Sequence, residues 1–289
     1  IYNQRIGDMD EMKLIGIDLD GTLLNSDQSI SQKNARTMKH LPEDCFPFIC
    51  SGREVEDINN ILKKSGLRIP AVGLNGSVGF DGEKKIFESS FDKNDVKKID
   101  SVLSKFPTKI YTNLGSYESQ NYKNKMKKIF HEVGSEFSIK ELNYELEYEK
   151  SICSIPYNNI EEIIEKDAIS IYKFFIFIPN RQLKANIFNH LKKMLNVSVT
   201  ESAPVNIEIV PQNVSKGVVF DRLESIYNLK KPLRIAIGDS LNDLSMFESA
   251  DISFAMGNSH QEIMKKADYV TVSNDKDGVS QAFERILTI

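Results

Sequence analysis

Apolar residues fall in short runs that end at glycine- or aspartate-rich turns, with stretches of helical spacing between them. Lys13–Leu19 is such a run and predicts a buried first strand. Ile30–Leu41 and Glu54–Lys64 have the 3.6-residue period of helices, with short strands predicted at Phe46–Cys50 and Ala71–Leu74. Phe80 and Lys85–Phe87 flank an Asp81-Gly82 turn signal and read as a hairpin. The last eighty or so residues repeat the alternation. Helices are expected at Lys216–Tyr227, Asn242–Glu248, His260–Lys266 and Gly278–Leu287, and strands at Leu233–Ile237, Ile252–Ala255 and Tyr269–Val272. Alternation of this kind implies a parallel sheet with helices on both faces, an α/β, Rossmann-like core whose ligands sit at the carboxyl ends of the strands.

The middle of the chain has another texture, rich in Lys, Asn, Glu and Tyr. Helices are expected at Asn94–Phe106, Asn159–Lys166 and Arg181–Leu195, and strands at Lys109–Thr112, Ser170–Ile178, Val197–Glu201 and Val205–Val210. The simplest organisation is a split catalytic core, residues 12–88 and 211–289, carrying an inserted α+β domain at 89–210. Phe174, Phe175 and Phe177 are expected to fill the insert's own core.

Composition narrows the function. The 289 residues, 40% apolar and 27% charged, are those of an ordinary globular protein long enough for two modest domains. A net charge of -4 offers no global attraction to nucleic acid or to an anionic membrane. The densest apolar run, Ile169–Ile178, contains Lys173 and suits a strand better than a membrane span. Cys45, Cys50 and Cys153 form no C-x-x-C pair, and their odd number suits reduced thiols in the cytoplasm. The Asn-x-Ser triplets at Asn75, Asn196 and Asn213 then carry no meaning as glycosylation sites. The basic stretch Tyr122–Lys128 reads as a solvated helix face, since acidic Glu145–Glu149 lies nearby. The four histidines are scattered without metal spacing.

Two acidic clusters carry the chemistry. Asp18-Leu19-Asp20-Gly21-Thr22 closes the first strand; on a strand, residues i and i+2 share a face, which sets the two carboxylates side by side. Close carboxylates raise one another's proton affinity and call for a cation or a shared proton. A calcium EF-hand loop does not fit, because its glycine falls at the sixth position. Gly238-Asp239-Ser240-Leu241-Asn242-Asp243 follows another apolar strand and brings Asp239 and Asp243 to the same rim of the sheet. Hard oxygen ligands without His or Cys suit Mg²⁺ better than zinc. Ser51-Gly52-Arg53 follows the strand Phe46–Cys50 and opens a helix, so its hydroxyl and N–H groups can face an anion. Lys216 starts the helix after the insert.

These four elements, in this order, resemble the haloacid-dehalogenase-like superfamily, and within it the Cof-type (type IIB) sugar-phosphate phosphatases. Asn75-Gly76-Ser77, Ala255–Ser259, Ala267-Asp268, Ser273-Asn274 and Asp277–Val279 add to the likeness, which runs from Lys13 to the C-terminus. The resemblance implies Asp18 as nucleophile and Asp20 as general acid/base. It implies Ser51, Gly52, Lys216 and Asn242 as holders of the transferring phosphoryl group. Mg²⁺ would be bound by Asp18, Asp239 and the backbone carbonyl of Asp20, and Asp243 would orient the metal shell or Lys216. The substrate would be a small phosphomonoester, with the insert as a mobile cap. Two departures are Ser51 where threonine is commoner, and Ser259 where alanine is usual. A phosphomutase is the nearest alternative, and a non-catalytic metabolite-binding regulator a more distant one.

Overall fold

A computed structural model describes residues 12–133, 154–202 and 205–289. The acidic run Glu145–Glu149 and Cys153 lie outside the described residues. The chain forms two compact units, one running to Glu88 and resuming at Val214–Ile289, the other Ser89–Asn213.

In the first unit the chain runs β1 (Lys13–Ile17), α1 (Gln32–Lys39), β2 (Cys45–Cys50), α2 (Val55–Lys64), β3 (Ala71–Gly73), β4 (Val78–Asp81) and β5 (Lys84–Glu88). The second unit supplies α3 (Lys93–Leu103), β6 (Thr108–Thr112), β7 (Gly115–Ser119), α4 (Tyr122–Val133), β8 (Ile155–Tyr157), α5 (Glu161–Ile164), β9 (Ile171–Phe177), α6 (Arg181–Leu191), β10 (Val197–Thr200) and β11 (Asn206–Pro211). The first unit then resumes with α7 (Val219–Tyr227), β12 (Leu233–Gly238), α8 (Leu244–Glu248), β13 (Ile252–Ala255), α9 (Gln261–Met264), β14 (Tyr269–Val270) and α10 (Gly278–Ile286).

The sheet of the first unit has the order β14-β13-β12-β1-β2-β3-β4-β5, parallel from β14 to β3 and antiparallel through the β3–β4–β5 edge. β1 and β2 are buried almost throughout, as strands covered on both faces must be. On one face Leu14, Phe46, Phe48 and Ala236 pack against Val219, Phe220, Leu223 and Met246 from α7 and α8. The order reverses between β1 and β12, which lie side by side with Ile17 opposite Ile237. Chain leaving the two strands parts in opposite directions there, and the crevice it opens is where ligands of such sheets bind.

The second unit is a six-stranded sheet, order β10-β11-β9-β6-β7-β8, antiparallel apart from β7 beside β8. Phe174, Ile176 and Ile178 share a cluster with Val96, Ile99 and Leu103 of α3 and Ile187 and Leu191 of α6. Phe175 and Phe177 are buried but lie outside that cluster. Alternation along β9 places them on its other face, so only Phe174 of the three expected aromatics belongs to the helix-backed core.

Several boundaries differ from those expected, for local reasons. The unit boundary falls at Val214 because Pro211 still pairs with Val197 and the Gln212 N–H still donates to the Asn196 carbonyl. The hairpin turns on Gly82-Glu83, with Asp81 opposite Lys84 and Gly82 at φ +62°. β7 and β8 were not anticipated; each is held by one large apolar residue, Tyr117 or Tyr157. Tyr122–Lys128 is helical, with Tyr122 and Met126 buried one turn apart and Lys123, Asn124 and Lys128 exposed. His40, His190 and His260 are all exposed. Among the described residues, no helix is long and apolar enough to cross a membrane.

Candidate active site

The site is built on the carboxyl ends of three adjacent strands, β12, β1 and β2. The ladder carries Asp18 into place: its N–H donates to the Ile237 carbonyl at 2.9 Å. β1 itself stops at Ile17, earlier than expected, and Leu19–Leu23 forms a tight loop closed by the Leu24 N–H donating to the Leu19 carbonyl. Gly21 sits there at φ +72°, where a Cβ would lie 2.5 Å from an Asp239 carboxylate oxygen; only glycine meets both conditions.

Because the strand ends before Asp18, Asp20 is a loop residue; its charge still adds to those that raise the Asp18 carboxyl, but its hydrogen-bond partners are different. Asp18 is 3% exposed, and its Oδ1 accepts from Lys216 Nζ at 2.6 Å. Asp20 instead takes a two-pronged contact from Arg53, with Nε 2.8 Å from Oδ2 and Nη2 2.6 Å from Oδ1.

Lys216 is 1% exposed and lies in the turn before α7, which begins at Val219 and not at Lys216 as expected. Its ammonium bridges Asp18 and Asp243, with Oδ1 of each at 2.6 Å. Burial alone would weaken this ammonium, but Asp18 and Asp243 outweigh it and raise its pKa above that of a free lysine. Asp243 is completely buried, and its Oδ2 accepts the N–H groups of Asp239 and Ser240, each at 2.9 Å. It therefore positions Lys216 and ties down the loop after β12. The helix expected from Asn242 starts at Leu244, after a short turn at Leu241–Asp243.

Asp239 accepts from the Thr22 hydroxyl at 3.1 Å. Oxygens of Asp18, Asp239 and Asp243 lie within 4.8 Å of one another. Burial first, then Asp243, push the Asp18 carboxyl up to about 7, against the pull of Lys216. Burial and the neighbouring Asp18 likewise push Asp239 well above the usual carboxylate range. One lysine does not neutralise three crowded carboxylates. With Asp243 occupied by Lys216 and two backbone N–H groups, Asp18 and Asp239 are the pair that could hold a hard divalent cation.

Ser51 is 1% exposed just past β2; its N–H donates to the Val72 carbonyl and its Oγ accepts the Arg53 N–H at 3.2 Å. The segment is a loop and does not open the helix: α2 starts at Val55, with Gly52 half-buried between Ser51 and Arg53. Asn242 accepts from the Ser240 hydroxyl at 2.6 Å and donates to Asn75 Oδ1 at 3.5 Å. Asn75 follows Leu74 in a left-handed pair, φ +59° and +52°, conformations that collect at functional loops. Asn258 braces the Asp18 loop by donating to the Gly21 carbonyl at 2.8 Å, and Asn274 does the same at Leu24.

Asp18, Lys216, Asp239 and Asp243 thus meet as the strand ends suggested, with Ser51 and Asn242 at the neighbouring loops. Arg53, Thr22 and Asn258 went unassigned in the sequence. Arg53 lies in Ser51-Gly52-Arg53, and an arginine directly after a loop glycine is the signal the sequence offers.

A profile of the family described as haloacid dehalogenase-like hydrolase matches residues 15–283. The phosphatase YwpJ of Bacillus subtilis is 31% identical over 288 residues, covering 96% of this chain and 100% of the relative. The 5-amino-6-(5-phospho-D-ribitylamino)uracil phosphatase YwtE of the same species is 30% identical, covering 96% and 99%. A solved haloacid dehalogenase-like hydrolase from B. subtilis superposes with a TM-score of 0.82 at 30% identity, over 94% of this chain and 99% of the other. With an acidic cluster at the carboxyl rim of a matching fold, the chain belongs to the haloacid dehalogenase-like hydrolase family, as a phosphatase of Cof type acting on a small phosphorylated substrate.

Proposed function

We propose that this protein is a Mg²⁺-dependent phosphatase that hydrolyses a sugar phosphate or similar phosphomonoester through a phosphoryl group carried on Asp18. The observation that supports this best is Asp18 itself: a buried carboxylate at a strand end, 2.6 Å from a buried ammonium and crowded by Asp239. A structural ion pair does not need the second and third carboxylates.

Asp18, Asp239 and the Asp20 carbonyl are the groups assigned to Mg²⁺. Held there, Mg²⁺ would offset the charge clash between carboxylate and phosphate and would polarise a phosphoryl oxygen. Lys216, Ser51, Gly52 and Asn242 are assigned to the phosphoryl oxygens, where donors fixed before reaction stabilise charge as it spreads. In the first displacement an Asp18 oxygen bonds to phosphorus, the ester P–O bond breaks, and the departing oxygen takes a proton from Asp20. In the second, water attacks the same phosphorus, gives a proton to Asp20, and the Asp18–phosphorus bond breaks to release inorganic phosphate. Splitting the reaction this way replaces one very slow step by two easier ones. The unit Ser89–Asn213 is assigned substrate choice.

The test is phosphate release from a panel of phosphomonoesters, with Mg²⁺ or EDTA, by wild type and by Asp18→Asn. The panel includes the ribitylaminouracil phosphate named for the YwtE relative. Metal-dependent release that disappears in the variant is expected. An isomeric sugar phosphate in place of inorganic phosphate would contradict hydrolysis and indicate a mutase.

A further inference from the structure

The guanidinium of Arg53 is fixed more thoroughly than a loop arginine needs to be. It is 9% exposed and donates to side chains from three segments: Asp20 in the loop after β1, Gln28 in the following connection, and Asp57 in the first turn of α2. Nη1 reaches Asp57 Oδ2 at 2.6 Å. Its backbone is held as well, with the N–H donating to Ser51 Oγ and the carbonyl accepting from the Leu74 N–H at 2.9 Å. Of Arg53 and Asp20, the carboxylate is the more exposed, with 36% of its side chain open against 9% for the arginine. The fork is therefore the stationary member of the pair and the carboxylate is the one that docks on it.

We propose that Arg53 is the positioning residue for Asp20: it fixes the plane and rotamer of that carboxylate at the mouth of the site and lets one oxygen go to serve the substrate. This rests on the acid/base role assigned to Asp20 above. With both oxygens accepting from one guanidinium, as in this structure, the carboxylate is docked and neither oxygen is turned to another partner. Proton delivery to a leaving oxygen requires one of them, so one of the two contacts opens while the other keeps the geometry. Nη2 carries two N–H groups and serves both Asp20 Oδ1 and Gln28 Oε1, so Gln28 and Asp57 keep the guanidinium in place when either Asp20 contact opens. Lysine would hold one oxygen but not the plane, since its ammonium has no fork.

The test uses the full chain with Mg²⁺ and compares two esters, an alkyl sugar phosphate that the wild type turns over and 4-nitrophenyl phosphate. An alkoxide leaving group depends on a proton far more than nitrophenolate does. Arg53→Met is expected to lower kcat on the alkyl ester by about tenfold or more, a part of the 10²–10⁴ that a positioned acid contributes, with KM changed by less than about threefold. The loss on the nitrophenyl ester is expected to be clearly smaller. Arg53→Lys recovers part of the alkyl rate, and in an Asp20→Asn background Arg53→Met costs nothing further, because the two residues act as one unit. Equal losses on both esters, or losses that add in the double variant, would overturn the proposal. So would an unchanged Arg53→Met beside an inactive Asp20→Asn, and this leaves the acid/base reading intact. Full activity of Asp20→Asn on the alkyl ester would remove the acid itself and overturn both. Thermal melts accompany each variant, and if Arg53→Met does not fold, the ester comparison on Arg53→Lys decides.

Discussion

Asp18→Asn is expected to abolish turnover and, in the absence of metal, to make the protein more stable. Asp18 is ionised at neutral pH only against burial and the nearby Asp243, which lift its pKa from 3.8 to about 7. Folding therefore favours the protonated form. The stability this provides is fully present below the unfolded pKa and is lost as pH rises through the folded one. At about 1.4 kcal/mol per pH unit, three units make the ionised carboxylate cost up to about 4 kcal/mol above neutrality. Asparagine, neutral like the protonated acid, avoids that cost, and the pull of Lys216 on the ionised form is already contained in the pKa of about 7. The net gain above neutrality is up to about 4 kcal/mol, or up to roughly 8–16 °C in melting temperature for a unit of this size. Thermal melts in EDTA across a pH series would measure it. The gap between variant and wild type should open from about pH 4 and level off above about pH 7. Mg²⁺ should narrow it by stabilising the wild type more. A variant that melts at or below wild type at about pH 8, or a gap independent of pH, would refute the electrostatic reasoning.

Three further outcomes follow from the same geometry. Lys216→Met leaves two buried carboxylates without their cation, so it should cost about 3–5 kcal/mol in denaturant melts, most at high pH, and abolish competitive inhibition by inorganic phosphate. Thr22→Val removes the hydroxyl that orients Asp239; the Mg²⁺ concentration for half-activation should rise about tenfold or more, with little change in melting temperature. In the second unit Lys173 and Glu208 form a buried pair at 2.6 Å. Glu208→Leu alone should cost about 3–5 kcal/mol, and adding Lys173→Met should restore most of it, measured by urea unfolding of both variants.

The strand ends were legible because the residues that make them are also those that do the chemistry. Apolar runs such as Leu14–Ile17 and Ile235–Ile237 stop at Asp18 and Gly238-Asp239, and adjacency of β1 and β12 in a parallel sheet is enough to bring those acids together. What followed each strand was less legible. A two-residue period sets the face of Asp20 only while the strand lasts, and β1 stops at Ile17, before either acid. Asp20 then answers to Arg53, thirty-three residues on, which no local pattern encodes. Lys216 was placed on a helix because its surroundings are compatible with one. In the structure its ammonium is drawn into the acid cluster and the helix begins three residues later. β7 escaped notice because Gly115, Ser116, Glu118 and Ser119 leave Tyr117 alone to mark the buried face.

The central claim is that the phosphoryl group passes through Asp18. Rapid acid quench of the Mg²⁺-loaded enzyme with a turned-over phosphomonoester, followed by peptide mass spectrometry, tests it most directly. The account predicts one phosphoryl group on the peptide that carries Asp18, formed before product appears and absent in Asp18→Asn. Phosphate release at full rate with that peptide unmodified at every quench time would contradict it.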